Sequence, residues 1–208
     1  AFYDRAGALK DMIQNHLLQL VAILALEPLG SLRSSHFRDR RVELFKSVRK
    51  LSRNEIRAHT VRARYKAGEV HGERVPDYAR ENGVVAERKT ETFAQVTLWV
   101  DNERWQGVPF VLRSGKALER DRQEIRVYFN NVKSNGDCLH ADEGHNLLRL
   151  NLASEEVNSE SYNIQGTGGI TREPMSLNDR LSSEQLPPYG CLFLEAMSGK
   201  SQLFIRND

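Results

Sequence analysis

A histidine inside an apolar, helix-like stretch is the first residue of this sequence that could perform acid–base chemistry. His16 follows Asp11 by five residues in the run DMIQNH (residues 11–16). A neutral imidazole accepts a proton near physiological pH, which makes histidine the usual general base of enzymes. In an α-helix the two side chains would lie about 140° apart around the axis and about 7.5 Å apart along it, so they could line one pocket from different depths. The alternative is structural: a core histidine bonded to a backbone carbonyl, and an acid favoured by the helix dipole.

A basic loop after a predicted strand could bind an anion. Lys116 ends the run LRSGK (residues 112–116), and Arg120 and Arg122 follow closely. Cations clustered after a strand can hold a phosphate, and Gly115 would allow an unusual backbone turn from which Lys116 projects. The run is not a P-loop, because the upstream glycine pattern of that motif is absent. The alternative is a basic loop that is simply hydrated.

A strongly basic segment, residues 33–66, has the charge that a nucleic-acid interface requires. It contains twelve lysine and arginine residues against three acidic residues. Its aromatic side chains, Phe37, Phe45 and Tyr65, are few for stacking on bases. We therefore favour a charged helical face that pairs with acidic residues elsewhere in the chain.

The remaining motifs indicate neither a metal site nor a dinucleotide loop. The other histidines are scattered without partner thiols or carboxylates: His36, His59, His71, His140 and His145. The run GTGG (residues 166–169) lacks the spacing and the following helix of a Rossmann loop, so we interpret it as a connection between strands. The only two cysteines, Cys138 and Cys191, argue against a disulfide scaffold and fit a reducing cytoplasm.

The elements that must position these residues begin with helices. The chain has 208 residues, of which 39% are hydrophobic and 28% charged, with a net charge of +2, as is ordinary for globular proteins. The predicted elements are a helix from Gly7 to Glu27, a second helix from Arg38 to Ser52, a basic strand or short helix from Glu55 to Tyr65, and a long loop over residues 67–91.

From residue 93 onward apolar and polar residues alternate, which predicts strands. Strands are expected near Phe93, Val108, Ile125 and Leu148, and a final hairpin is expected to join Cys191–Met197 to Gln202–Arg206 around the turn SGKS. Because most connections are short, neighbouring strands should be antiparallel. The predicted fold class is α+β, with helices over about residues 7–66 packed on a large, mostly antiparallel sheet over about residues 93–206. The longest apolar stretch, residues 17–26, is about half a membrane span, so we expect no membrane association.

Five segments, in order along the chain, carry a specific signature. They are the stretch from FYD to DMIQNHLLQ (residues 2–19), TETFA (90–94), VDNERWQGVPF (100–110), RSGKAL (113–118) and the closing stretch from PYG (188–206). Together they resemble the C-terminal domain of the glucose-6-phosphate dehydrogenase family over nearly the whole chain. The resemblance implies an oxidoreductase that oxidises the C1 hydroxyl of glucose 6-phosphate to the lactone and reduces NADP, in the pentose phosphate pathway.

The resemblance also implies roles for individual residues. In the family the histidine of a D-x-x-x-N-H run is the general base, and here that residue is His16. The aspartate of the same run binds sugar hydroxyls, and here it is Asp11. The lysine of the R-x-G-K run binds substrate, and here it is Lys116.

One position departs from the family pattern. Family members usually carry a second basic residue five positions after that lysine, where this chain has Asp121. Arg120, or else Arg122, is the candidate to replace it in binding substrate. The departure favours an alternative in which the domain acts on another hexose phosphate or is catalytically degenerate.

The N-terminal Rossmann domain that holds NADP in the family is not among these residues. The chain starts without Met and stops directly after a strand-like run, so we expect a piece of a larger protein that is inactive alone. The resemblance implies that its partners are glucose 6-phosphate and that missing domain. It also implies a cytoplasmic homodimer or homotetramer assembled through the sheet, with no nucleic acid bound.

Overall fold

Helices occupy the first part of the chain and antiparallel strands most of the rest. The computed structural model describes residues 2–27, 34–130, 147–153, 156–165, 171–180, 193–194 and 196–199. The chain divides into two compact units, the first made of Ala1–Glu119 with Pro188–Asp208 and the second of Arg120–Pro187. The order of elements confirms the predicted α+β class.

Three helical segments follow one another where the sequence predicts one helix over Gly7–Glu27. They are α1 (Phe2–Ala8), a π-helix (Leu9–Leu17) and α2 (Leu18–Leu24). Gly7 interrupts the path with φ 73° and ψ 172°, a conformation that is essentially restricted to glycine. The prediction of one continuous α-helix is therefore wrong in two respects. The backbone is kinked at Gly7, and residues 9–17 form a π-helix with i to i+5 hydrogen bonds.

The Glu91 side chain determines where the π-helix begins. Its Oε1 accepts a hydrogen bond from Leu9 N–H at 3.0 Å, and its Oε2 pairs with Arg62 at 3.0 Å. Its backbone carbonyl accepts a further bond from Ala8 N–H at 3.2 Å. A Cβ on Gly7 would lie 2.5 Å from Oε1, so only glycine leaves room for this carboxylate. The first N–H groups of a helix have no internal partners, and here a residue distant in sequence supplies one.

The next helix, α3 (Ser34–Lys46), ends before the predicted boundary at Ser52. The backbone beyond it forms a β-bridge between Val48 and Val100. Val100 is fully buried, so this pairing satisfies backbone groups next to the core that a longer helix would leave unpaired.

A capping box starts α4 (Arg53–His59). Glu55 N–H donates to Ser52 Oγ at 3.3 Å, and Ser52 N–H donates to Glu55 Oε2 at 2.8 Å. The S-x-x-E run is a known sequence signal for a helix start. Strand β1 (Thr60–Ala63) follows directly, so the stretch from Glu55 to Tyr65 contains both predicted alternatives, a short helix and then a strand.

A three-stranded antiparallel sheet lies beside the helices in the order β1, β4 (Phe93–Trp99), β5 (Pro109–Gly115). Val96 of β4 lies opposite Thr60 on one side and Leu112 on the other. This pairing confirms the strands predicted near Phe93 and Val108. The alternation of the sequence places one face of each strand against the helices.

The predicted long loop over residues 67–91 contains short elements of its own. Strands β2 (Gly68–Val70) and β3 (Glu73–Val75) form a hairpin, and two turns of 3₁₀-helix follow, at Tyr78–Arg80 and Ala86–Arg88. These turns bring residues 85–91 close to α1, where they contribute to the candidate site.

The hydrophobic core of the first unit lies between the helices and one face of β4 and β5. Its buried side chains are Ala8, Ile13, Val21, Ala22, Ala25, Leu44, Ala94, Leu98, Val100, Phe110 and Leu112. At the end of α2, Trp105 Nε1 donates to the Ala25 carbonyl at 2.9 Å, which satisfies one of the carbonyls that a helix end leaves without a partner. The π-helix therefore sits on a packed sheet.

The second unit contains a four-stranded antiparallel meander. Its strands are β6 (Glu124–Tyr128), β7 (Leu147–Asn151), β8 (Glu156–Gln165) and β9 (Thr171–Arg180), paired in that order. Ile125 lies opposite Leu150. The strands predicted near Ile125 and Leu148 are confirmed.

The predicted strand over Cys191–Met197 is wrong. Residues 193–194 and 196–197 are helical, and Ser198 N–H donates to the Leu194 carbonyl at 3.0 Å. Leucine, alanine and methionine are strong helix formers, and Gly199, at φ 68°, ends the turn in the left-handed conformation typical of helix C-termini. The predicted partner strand at 202–206, the GTGG run and both cysteines lie outside the described residues. Among the described helices, none is long and apolar enough to cross a membrane.

Candidate functional site

Asp11 and His16 lie on the same side of the π-helix. A π-helix bonds residue i to residue i+5, so two residues five apart lie in adjacent turns and diverge less around the axis than the about 140° of an α-helix. His16 is exposed and Asp11 half-buried, whereas Ile13 points away from them and is buried in the core. The alternative of a core histidine is therefore wrong, and the imidazole is accessible to a ligand.

Lys116 leaves the end of β5 toward α1. Its backbone N–H donates to the Thr92 carbonyl at 2.9 Å. Its side-chain Nζ lies 3.9 Å from the centre of the Tyr3 ring. An ammonium group above an aromatic face is attracted by the electron density of that face. The structure therefore places Lys116 against the helical segment that leads into the π-helix.

Gly115 provides space for close packing. A Cβ at this position would lie 2.7 Å from Cδ2 of Phe93, the residue opposite it in β4. The left-handed conformation falls two residues later, on Ala117, at φ 53°, where a residue with a Cβ is strained. The expectation of an unusual turn at Gly115 is therefore wrong, because the unusual backbone follows Lys116.

Tyr3 lies close to two of the predicted substrate-binding residues, Asp11 and Lys116, although no sequence motif assigns it a role. Its burial, together with the neighbouring Tyr78 and the carboxylates of Glu91 and Asp11, raises the pKa of Tyr3 to about 12. The ring is therefore a neutral phenol throughout the physiological pH range. The Lys116 ammonium lies over its ring, and the Asp11 carboxylate is near enough to contribute to the raised pKa of Tyr3.

Asp4 ties α1 to the segment that precedes β4, and it is only 1% exposed. Its Oδ2 accepts hydrogen bonds from Arg88 at 2.5 Å and from Val85 N–H at 3.2 Å. Its Oδ1 accepts one from the Tyr78 hydroxyl at 3.4 Å, and Thr90 Oγ1 donates to its backbone carbonyl at 2.6 Å. Burial alone would raise the pKa of Asp4, but these hydrogen bonds and the Arg88 charge outweigh it and lower the pKa.

This lowered pKa predicts how stability responds to acid. The folded-state pKa of Asp4 lies below its unfolded value, which is about 3.9. Its contribution to stability is therefore complete above about pH 4 and is lost as the pH falls through the folded-state pKa. We expect the Asp4→Asn variant to be less stable than the wild type at neutral pH, and the difference to shrink below about pH 4.

Urea unfolding of the two proteins across this pH range measures the difference. Glu103→Gln is the matched control, since it neutralises an exposed carboxylate. A difference between the wild type and Asp4→Asn that stays constant down to about pH 2 would contradict the assignment.

Arg120, Asp121 and Arg122 are exposed residues of the second unit, in the stretch before β6. Arg122 lies 3.6 Å from Oε1 of Glu124. Glu124 Oε2 also accepts a hydrogen bond from Arg149 at 2.5 Å. Arg122 therefore has an acidic partner within its own unit, and the substrate role of Arg120 stays a prediction.

Comparison with known proteins identifies the family. A family model described as "Glucose-6-phosphate dehydrogenase, C-terminal domain" matches residues 1–208. This chain belongs to that family. The match confirms the resemblance that the ordered sequence segments carry.

Similar proteins bear the same name and extend well beyond the C-terminal domain. The chain is 37% identical over all of its length to the glucose-6-phosphate 1-dehydrogenase of Treponema pallidum and covers 42% of that protein. It is 35% identical over all of its length to the glucose-6-phosphate 1-dehydrogenase of Dickeya dadantii and covers 44% of that protein. A structure described as glucose-6-phosphate dehydrogenase in complex with its substrate glucose-6-phosphate matches with a TM-score of 0.82 and 27% identity. The enzyme from Mycobacterium avium matches with a TM-score of 0.76 and 29% identity. Both structural matches cover 99% of this chain and 42% of the other, so this domain spans less than half the length of these relatives.

The basic segment of this glucose-6-phosphate dehydrogenase C-terminal domain pairs with acidic residues elsewhere. The pairs are Arg49 with Asp101 at 2.6 Å, Arg62 with Glu91 at 3.0 Å, and Lys66 with Asp77 at 3.3 Å. All three acids lie outside residues 33–66. These three pairs, among the twelve cations of the segment, agree with the predicted pairing of the charged face with acidic residues elsewhere in the chain.

Proposed function

We propose that this chain is the substrate domain of a glucose-6-phosphate 1-dehydrogenase. The reaction removes the hydroxyl proton and the C1 hydride of glucose 6-phosphate, and it yields 6-phosphogluconolactone and reduced NADP in the pentose phosphate pathway. The observation that carries the proposal is the exposed His16, which shares one side of the π-helix with Asp11. Lys116 lies over Tyr3 of α1, the helix that leads into the π-helix.

His16 is the proposed general base. Oxidation at C1 requires that the hydroxyl proton leave as the carbonyl forms, and histidine side chains titrate in the range where this transfer is efficient. The π-helix rests on the core through Ile13, which is 4% exposed. This anchoring holds the imidazole in place while leaving it open to the sugar.

The remaining site residues are proposed to orient the substrate. The Asp11 carboxylate accepts hydrogen bonds from sugar hydroxyls. Lys116 binds the substrate through its ammonium group, which suits an anionic sugar phosphate. Arg120 is the proposed second cation, in place of the basic residue expected at Asp121.

The described residues do not form a Rossmann-type NADP site. Their strand pairs are all antiparallel, whereas dinucleotides bind at a glycine-rich turn between a strand and a helix in a mostly parallel sheet. We therefore propose that an N-terminal Rossmann domain of the full-length enzyme binds NADP and that this chain is inactive alone. When bound there, NADP is the hydride acceptor.

The sheet is the proposed subunit interface. Val61 and Val111 lie on the face of the three-stranded sheet that points away from the core, and they are 49% and 53% exposed. Burial of these apolar side chains against a second subunit would be favourable. We infer a cytoplasmic homodimer or homotetramer of the full-length enzyme.

The test compares the full-length protein that contains this domain with the isolated 208-residue chain. We expect the full-length protein to reduce NADP with glucose 6-phosphate and to sediment as an oligomer. The isolated chain should show no turnover. Turnover by the isolated chain, free of other protein, would contradict the proposed division of labour between the two domains.

The alternative is a related domain that acts on another hexose phosphate or has lost activity. Asp121 is the observation that favours it, because an acidic residue stands where the family carries a cation. A substrate panel decides: turnover with mannose 6-phosphate or fructose 6-phosphate exceeding that with glucose 6-phosphate supports a different specificity. No turnover with any hexose phosphate supports a degenerate domain.

A further inference from the structure

We propose that Tyr3 is a positioning residue that holds the Lys116 ammonium in the orientation needed to bind substrate. The inference rests on the proposed function of Lys116, and it adds a residue with no assigned role to the site. The geometry that supports it is the placement of Nζ 3.9 Å from the centre of the Tyr3 ring.

Lys116 needs such a support because little else among the residues that the structure describes restrains its side chain. Its backbone is fixed by the bond to the Thr92 carbonyl at 2.9 Å, but the side chain is exposed and has four rotatable bonds. A flexible lysine loses conformational entropy when it binds a ligand. An aromatic face that already holds the ammonium lowers this loss and leaves the outer N–H groups directed at an anion.

The Tyr3 ring is itself held rigidly. Its edge-to-face contact with Tyr78 has a centroid separation of 6.5 Å and an interplanar angle of 83°. Tyr78 makes a second edge-to-face contact with Tyr65 at 5.5 Å and is only 4% exposed. The Tyr78 hydroxyl donates to buried Asp4 at 3.4 Å. The ring under Lys116 is therefore the outer member of an aromatic cluster anchored in the fold.

The first test uses kinetics of the full-length enzyme with Tyr3→Phe, Tyr3→Leu and the control Phe2→Leu. Phe2 is the adjacent aromatic residue and is 73% exposed. Tyr3→Leu removes the ring face, so we expect KM for glucose 6-phosphate to rise by about 3- to 30-fold with kcat changed by less than about twofold. Tyr3→Phe keeps the ring and should therefore retain the wild-type KM. Phe2→Leu should also leave KM unchanged.

A double-mutant cycle with Lys116→Ala separates positioning from general packing. If Tyr3 acts through the ammonium, Tyr3→Leu should raise KM no further once Lys116 is removed. Additive effects, or a fall in kcat with unchanged KM, would overturn the proposal.

The second test does not depend on the reaction. Lysines of the full-length protein are reductively methylated with a ¹³C label, which keeps the positive charge, and the Lys116 signal is identified by its loss in Lys116→Arg. The ring current of Tyr3 should shift this signal upfield in the wild type and in Tyr3→Phe, and Tyr3→Leu should return it to the position of exposed lysines. A wild-type Lys116 signal without an upfield shift overturns the inference even if Tyr3→Leu does not fold. An upfield shift in a protein without turnover of glucose 6-phosphate would instead contradict the proposed function alone.

Discussion

Replacement of His16 by Asn is expected to lower kcat of the full-length enzyme by about 10²- to 10⁴-fold, the usual contribution of a general base. Asparagine preserves polarity and approximate size but cannot accept the hydroxyl proton of the sugar. Because His16 is exposed, the substitution leaves the core beneath the π-helix intact. KM for glucose 6-phosphate should therefore change little, since Asp11 and Lys116 still bind the substrate.

Initial rates of NADP reduction measure this loss, with His71→Asn as the matched control. His71 is exposed, and its φ of 55° lies in the left-handed region, which asparagine tolerates well. The control should keep wild-type kcat. A fall of less than about threefold in His16→Asn, or an equal fall in the control, would remove His16 from the role of general base.

Replacement of Gly7 by Ala is expected to lower the free energy of unfolding by about 2–6 kcal/mol, a large fraction of the usual 5–15 kcal/mol. The conformation at φ 73° and ψ 172° costs a residue with a Cβ about 1–3 kcal/mol. The new Cβ would also lie 2.5 Å from Glu91 Oε1. To avoid it the carboxylate must leave the Leu9 N–H, and a partly buried donor without a partner costs at most about 1–3 kcal/mol more.

Urea unfolding of Gly7→Ala and Gly72→Ala separates the two contributions. Gly72 has φ +81°, and a Cβ added there would meet no atom within 4 Å, so its substitution should cost only the conformational part, about 1–2 kcal/mol. In a Glu91→Ala background, Gly7→Ala should cost only its own conformational part, about 1–3 kcal/mol. Equal losses for Gly7→Ala and Gly72→Ala in the wild-type background would show that the contact with Glu91 contributes nothing.

The fold was predicted best where local sequence and packing agree. Alternation over residues 93–100 predicts β4 because its buried face must point to the core. The end of α3 at Lys46 was missed because the bridge between Val48 and Val100 is a long-range contact. The helix α4 begins at Arg53, two residues before the predicted start at Glu55, although a local signal marks the boundary, the capping box of Ser52 and Glu55.

In the candidate site, too, local motifs reveal some of the residues and long-range contacts decide the rest. The types and order of His16, Asp11 and Lys116 were readable in the chain because each belongs to a short run that resembles the family. Tyr3 also lies in such a run, the FYD segment, but nothing local indicates that its ring lies under a lysine more than a hundred residues away.

The sequence by itself determined the family, the α+β class and the identity of the residues proposed to act on the substrate, because these depend on residue types and on spacing along the chain. The tertiary structure decided how those residues face one another. The kink at Gly7 and the Glu91 cap place Asp11 and His16 on one side of a π-helix. A carboxylate from a residue 82 positions away in the chain makes this contact, and local spacing carries no information about it.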